Sequence, residues 1–279
     1  MPASEVPGSA AAGRNRSLKD DIRDYWSLRA ETYDLSPGHG RMEAREANAW
    51  RALIRSHLGA GDGRRALDLG CGTGPMSLLM QAEGFDVTGL DFAGPMLDRA
   101  RGKARDAGAR IAFVAGDAEH TLEPDARYDA IIARNLLWTL PNPEQAFREW
   151  RRILKPGGRL LVIDGDFVRQ GWIERLMPLL DGVFGTLRDG HSLVTAAQWE
   201  EHHGIVARLP FRAGLRASGL AAVFENGGFT ALRRNGLQDI RRGRGLHLMS
   251  RAGLVAWSQH RFAISGEKPA AETPCREKR

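Results

Sequence analysis

The chain has 279 residues and is 42% hydrophobic, enough for one large α/β domain with an insertion or for two small domains. No apolar run approaches the roughly 18 residues of a membrane span, and two cysteines, Cys71 and Cys275, make no disulfide framework and point to a reducing cytoplasm. A net charge of +6 raises the question of nucleic acid, yet the basic residues interleave with 34 acids. The densest basic cluster, Arg233, Arg234, Arg241, Arg242 and Arg244, reads as a solvated face, which argues against a nucleic-acid partner.

Residues 1–16 are small, polar and proline-bearing, and read as a disordered tail without a secretory signal. Ser17 is a predicted N-cap, with Asp20 favourable in the first turn of the helix that follows. Leu18, Ile22, Tyr25, Trp26, Arg29 and Tyr33 recur at three- and four-residue steps along one face of that helix. A turn-rich link, Ser36 to Gly40, leads to a second helix from about Arg41 to Leu58, ended by Gly59 and Gly61.

Arg65 to Leu69 is the first strand, and Gly70-Cys71-Gly72-Thr73-Gly74-Pro75 is a tight loop running into a helix. Glycines lack Cβ, so the loop can take unusual dihedrals and let a ligand lie against its backbone; Pro75 suits the first helical position. A carboxylate at Asp68, two residues before the first glycine, repels a diphosphate and welcomes an ammonium group. The third glycine of the dinucleotide pattern G-x-G-x-x-G is moreover replaced by Pro75.

Strand two, Phe85 to Asp91, ends in an acid at the carboxyl edge of the sheet, where open α/β sheets bind ligands. Asp91 there can accept two ribose hydroxyls, with Phe92 and Met96 placed to flank an adenine ring. A helix opened by Pro95 stops at Gly108, and Ile111 to Ala115 is strand three, followed by Gly116-Asp117-Ala118. Tyr128 to Ala133 is strand four, with Arg134 at its end; Pro143 starts a helix, Lys155 to Gly158 is a turn and Arg159 to Asp164 is strand five. Beyond it a helix is expected near Trp172 to Leu180, another over Leu215 to Glu225, strand six from Phe229 and a last strand over His260 to Ser265.

Four of these stretches carry a family resemblance. Ala66-Leu67-Asp68-Leu69-Gly70-Cys71-Gly72-Thr73-Gly74 resembles motif I of the class I S-adenosylmethionine-dependent methyltransferases. Gly116-Asp117-Ala118 and Leu154-Lys155-Pro156-Gly157-Gly158-Arg159-Leu160 resemble later motifs of that superfamily, and Trp26 to Asp34 is similar to the W-x-x-R-A-x-x-Y-D lid of its small-molecule members, such as the quinone C-methylases. The resemblance implies a Rossmann-like, doubly wound seven-stranded α/β sheet of order 3-2-1-4-5-7-6. It also implies S-adenosylmethionine as cofactor, released as S-adenosylhomocysteine, and a small-molecule acceptor.

On that reading the chain divides into a helical lid (17–60), a cofactor-binding core (61–166), a substrate-binding insertion (167–215), the rest of the sheet (216–268) and a polar tail (269–279). Cofactor residues are Arg29, Tyr33, Asp68, Gly70, Cys71, Gly72, Gly74, Asp91, Phe92, Met96, Gly116, Asp117, Ala118 and Arg134. Trp26, Trp138, Asp166 and His191 are the substrate candidates, with Phe167 and Trp172 as further aromatic wall. His39 is the candidate base, and Asp164 and Asp166 are its rivals.

No metal-ligand spacing occurs. The chain after strand four lacks the [DNS]-P-P-[YF] signature of base amine methylation, and no cysteine follows strand four or five for pyrimidine carbon methylation. The expected protein is a cytoplasmic monomer or homodimer. Two alternatives stand beside the small-molecule enzyme: an RNA or protein methylase docking through the arginine cluster, and a cofactor-binding protein without catalysis.

Overall fold

The computed structural model describes residues 16–35, 40, 42–168, 195–244 and 260–270. Seven strands form one sheet of order β3-β2-β1-β4-β5-β7-β6, as the resemblance implies. They are β1 (Arg65–Leu69), β2 (Asp86–Asp91), β3 (Ala112–Ala115), β4 (Tyr128–Arg134), β5 (Leu154–Gly165), β6 (Thr230–Asn235) and β7 (Arg261–Glu267). The first five run parallel, and β7 pairs antiparallel with both β5 and β6.

The central strands are apolar on both faces because helices cover both, and side chains alternate between the two. Leu67, Leu69, Ile131, Ala133, Leu160 and Val162 meet Phe147 and Trp150 of α5 (Pro143–Ile153) and Leu220 and Phe224 of α7 (Ala217–Asn226). Ala66, Ala130, Ile132, Leu161, Ile163 and Ala263 meet Trp50, Ile54 and Leu58 of α2 (Ala44–Leu58), Met76 and Met80 of α3 (Pro75–Ala82) and Ile240 of α8 (Gln238–Gly243). Each large apolar side chain so buried contributes roughly 1.5–3 kcal/mol.

The turn expected at Lys155–Gly158 lies inside β5 instead. Tyr128 pairs with Leu154 and Ala130 with Arg159, so the extra residues bulge out of the ladder, with Gly157 at φ 75°.

The lid helix α1 (Leu18–Tyr33) begins as expected. Ser17 accepts from Asp20 N while the Asp20 carboxylate accepts from Ser17 N, a capping box that satisfies two end donors. α1 lies across α4 (Gly94–Asp106) and against α6 (Ala196–Val206), a helix the sequence reading missed; Ile22 and Tyr25 pack there on Ile205 and Leu209. The helix expected near Trp172, together with His39, His191 and Cys275, lies outside the described residues. No described helix is long and apolar enough to cross a membrane.

A cleft under the lid at the carboxyl end of the sheet

A cleft of about 720 Å³, counting its solvent-open mouth, lies where β1, β2, β3 and β4 end and α1 passes overhead. The glycine loop forms its floor. Gly70 and Gly72 line it at φ 60° and 54°, a region side chains rarely adopt. A Cβ on Gly72 would project into open space toward Tyr33, whereas one on Gly74 would press on Ala100 and Phe113. Of the loop glycines expected to bind cofactor, Gly74 therefore serves packing against α4.

Asp91 lines the cleft at the end of β2. Its two oxygens accept from Gly72 N at 2.8 Å and Ala93 N at 2.9 Å, which fixes the carboxylate plane. Burial raises its pKa against the pull of those donors. Each carboxylate oxygen retains a further lone pair for a ligand. Phe92, Met96, Leu90 and Ile22 supply apolar wall beside it, and Gly116, Asp117 and Ala118 close that end.

Tyr33, Arg134, Asn135 and Leu136 form the opposite end. Arg134 lies over the Trp50 ring, 4.8 Å from its centre, and burial lowers its pKa. Asn135 holds φ 56°, tolerable for a short amide side chain, and its carbonyl accepts from Trp138 Nε1 at 3.0 Å.

Several expected site residues do other work. Asp68 is buried against α3, where it accepts from Ser77 Oγ at 2.6 Å, and burial pushes its pKa up to about 7; it does not line the cleft. Cys71 faces into the fold against Gly89, its thiol pushed up by burial. Arg29 is buried and donates to Thr32 Oγ1 at 2.7 Å. Asp164 accepts from Leu137 N and Gly165 N, and so ties the turn after β4 to β5 instead of facing a ligand. Asp166 is buried against Gly214 and accepts from Val168 N at 3.2 Å. Hydroxyl or backbone donors at the strand ends hold each of these carboxylates.

Trp26 lines the cleft, and Trp138 stands behind it at 6.4 Å between ring centres, edge to face; Phe167 continues the wall 5.3 Å further on. His202 of α6 joins the same cluster, 5.3 Å from Tyr25 and 5.6 Å from Trp138, and burial drives its pKa down to about 4.

Sequence reasoning missed Lys19. Its ammonium lies 2.5 Å from Asp117 Oδ2 and 2.5 Å from Glu119 Oε2, fastening the start of α1 across the cleft. At the other end of α1, Asp34 Oδ1 accepts from Thr73 Oγ1 and Lys103 Nζ, each at 2.7 Å. The visible signal was the acid pair Asp117/Glu119, with Lys19 among the basic residues at the start of α1.

The basic cluster near the C-terminus does not form one outward surface. Arg233, Arg234 and Arg242 are exposed, whereas Arg241 and Arg244 are partly buried and Arg244 meets the buried Glu46 at 2.6 Å. Among the described residues no group of three His, Cys, Asp or Glu is placed to hold a metal ion.

Residues 67–162 match the model of a methyltransferase domain family. A demethylmenaquinone methyltransferase of Thermus thermophilus is 37% identical over 139 residues, 45% of this chain and 63% of that protein. A ubiquinone biosynthesis O-methyltransferase of Photobacterium profundum is 35% identical over 146 residues, 51% of this chain and 58% of that protein. The chain thus spans less than two thirds of the length of these relatives. A solved phosphoethanolamine N-methyltransferase 2 of Haemonchus contortus, in complex with S-adenosylmethionine, superposes with TM-score 0.61 at 18% identity, over 92% of this chain and 61% of that one. This last likeness concerns the fold.

Proposed function

We propose that this chain is a class I S-adenosylmethionine-dependent methyltransferase of small-molecule type, which transfers a methyl group to an acceptor in the cleft beneath α1. When bound, S-adenosylmethionine supplies an electrophilic methyl on a sulfonium. The residues present fit that group. Asp91, held by two backbone donors, offers acceptor lone pairs to vicinal hydroxyls, and Phe92 and Met96 offer flat apolar contact to a ring. The backbone of Gly70 and Gly72 permits close approach beneath Tyr33, and Arg134 lines the same end.

The chain's part in the chemistry is positioning and exclusion of water. Holding donor and acceptor in line turns a bimolecular step into a local one, worth up to about 7–11 kcal/mol of barrier. Trp26, Trp138 and Phe167 give the acceptor side a dry aromatic wall. Proton removal matters only for an acceptor that arrives protonated; His39 remains the candidate base.

The observation that carries this reading is the Asp91 carboxylate, fixed on Gly72 N and Ala93 N and open to the cleft. Calorimetric titration with S-adenosylmethionine and S-adenosylhomocysteine tests it on the natural chain and on Asp91→Ala. Micromolar binding, lost in the variant, is the expected result. A folded natural chain that binds neither compound overturns it.

A further inference from the structure

We propose that Arg134, Arg241, Arg244 and Arg261 form an anion site that receives a carboxylate or phosphate of the methyl acceptor, whose apolar body lies along Trp26, Trp138 and Phe167. This rests on the methyltransferase reading above and names the acceptor class.

Four guanidinium groups come together here by topology. Arg134 ends β4 beside Ile163 of β5, and Arg261 begins β7 opposite Gly165 of the same strand. Alternation puts Arg134 with Ile132 and Arg261 with Ala263, so both emerge on the face covered by α2 and α8. Only β5 separates them, about 10 Å across the sheet, with an offset of two residues along it. Gly165 lies between, and a Cβ there would stand 2.9 Å from Arg261 Cγ, so the arginine stem occupies the place of a side chain on β5. Arg241 and Arg244 add their charge from the end of α8: both, with Arg134, depress the pKa of Arg261, which burial above all pushes down to about 10.

The acids around the cluster are Glu46, paired with Arg244, Asp68 toward Arg134 and Asp164 toward Arg261. Arg261 itself rests on the Phe167 ring, 5.1 Å from its centre, and its Nε is buried with no hydrogen-bond partner. A buried donor left so destabilises the fold, and an oxyanion among these groups would satisfy it. The aromatic wall connects this site to the cleft: Arg261 lies on Phe167, Phe167 against Trp138, and Trp138 against Trp26, while Arg134 lines the cleft directly. An acceptor with a flat or apolar body and an anionic end matches that sequence of surfaces.

The test is calorimetry on the whole chain saturated with S-adenosylhomocysteine, using 2-naphthyl phosphate, 2-naphthoate and 2-naphthol as probes. The natural chain should bind one or both anions at least about tenfold tighter than the naphthol, as charge-assisted hydrogen bonds require; which anion wins separates phosphate from carboxylate. Arg261→Met keeps the apolar stem over Gly165 and should abolish the preference without lowering the melting temperature. Arg241→Gln should reduce it, and serves if Arg261→Met does not fold. Equal binding of the three probes, or a preference that survives both substitutions, overturns the proposal. So does Arg261→Met weakening S-adenosylhomocysteine but not 5′-methylthioadenosine, because the cluster would then serve the amino-acid end of the cofactor. If the natural chain binds no S-adenosylhomocysteine, the methyltransferase reading fails, while the same probes titrated alone still decide whether the arginines select anions.

Discussion

Lys19 Nζ lies 2.5 Å from Glu119 Oε2, and this contact joins the first turn of the lid helix to the segment after β3. Glu119 is buried and its other oxygen accepts from Asn142 N at 2.6 Å, so the acid is held on both oxygens while the lysine is partly exposed. Asp117 gives the same ammonium a second partner, which raises its pKa despite burial. Helix α1 is thus fastened at this end of the cleft by a partly exposed ammonium.

Lys19→Met should loosen that fastening. The lysine is one third exposed, so screening limits the loss to about 1 kcal/mol, roughly fivefold in S-adenosylhomocysteine affinity. The affinity of the natural chain should also weaken as salt rises, and that of the variant should not. Calorimetry at two ionic strengths checks both; an unchanged affinity means the contact is incidental.

Gly72 and Gly74 should respond differently to alanine. Both hold positive φ, so each substitution costs about 1 kcal/mol of backbone strain. Gly72→Ala puts a methyl into the cleft below Tyr33 with space to fit, and should keep the fold while lowering cofactor affinity at least about tenfold. Gly74→Ala presses on Ala100 and Phe113 and should lower the melting temperature with a smaller effect on affinity. Melting curves paired with titrations separate the two.

Asp68 gives a stability effect whose sign depends on pH. Its folded pKa of about 7 lies above the usual carboxylate value, so between about pH 4 and 7 the folded chain holds a proton that the unfolded chain has lost. Stability from this group is present at low pH and declines as pH rises through 7. Asp68→Asn, which can still accept from Ser77, should therefore stabilise at pH 8 and have little effect at pH 4. Denaturant titrations at the two values decide it.

His57 and His202 act in the opposite direction. Both are held near pKa 4 by burial, and His57 Nδ1 lies 2.7 Å from Ser265 Oγ between α2 and β7. Below about pH 6.5 the unfolded chain takes protons the folded chain refuses, so stability falls from there to about pH 4. His57→Gln should remove part of that acid loss. Proton NMR should find the His57 ring still neutral at pH 5; a titration midpoint near 6.5 would contradict the geometry.

The strand and helix assignments were legible because local chemistry sets them. Apolar runs ending in acids marked β1 and β2, Pro75 and Pro143 opened helices, and Gly84 and Gly108 closed them. Gly70, Gly72 and Asp91 were readable as strand-end residues for the same reason, and they line the cleft. Which carboxylate faces the cleft was not legible. Asp68 and Asp91 look alike in sequence, but Asp68 points toward α3 and Ser77 while Asp91 turns to Gly72 and the cleft.

By itself, then, the sequence determined the succession of strands and helices and the glycine loop at a strand end, because residue periodicity and turn chemistry act over a few positions; the order of the sheet came from the family resemblance. Only the tertiary structure decided how distant charges meet. Lys19 reaches Glu119 across 100 residues of chain, and Arg134 faces Arg261 because β7 inserts beside β5. Such pairings depend on strand order and helix packing, which bring together residues whose spacing along the chain carries no trace of it.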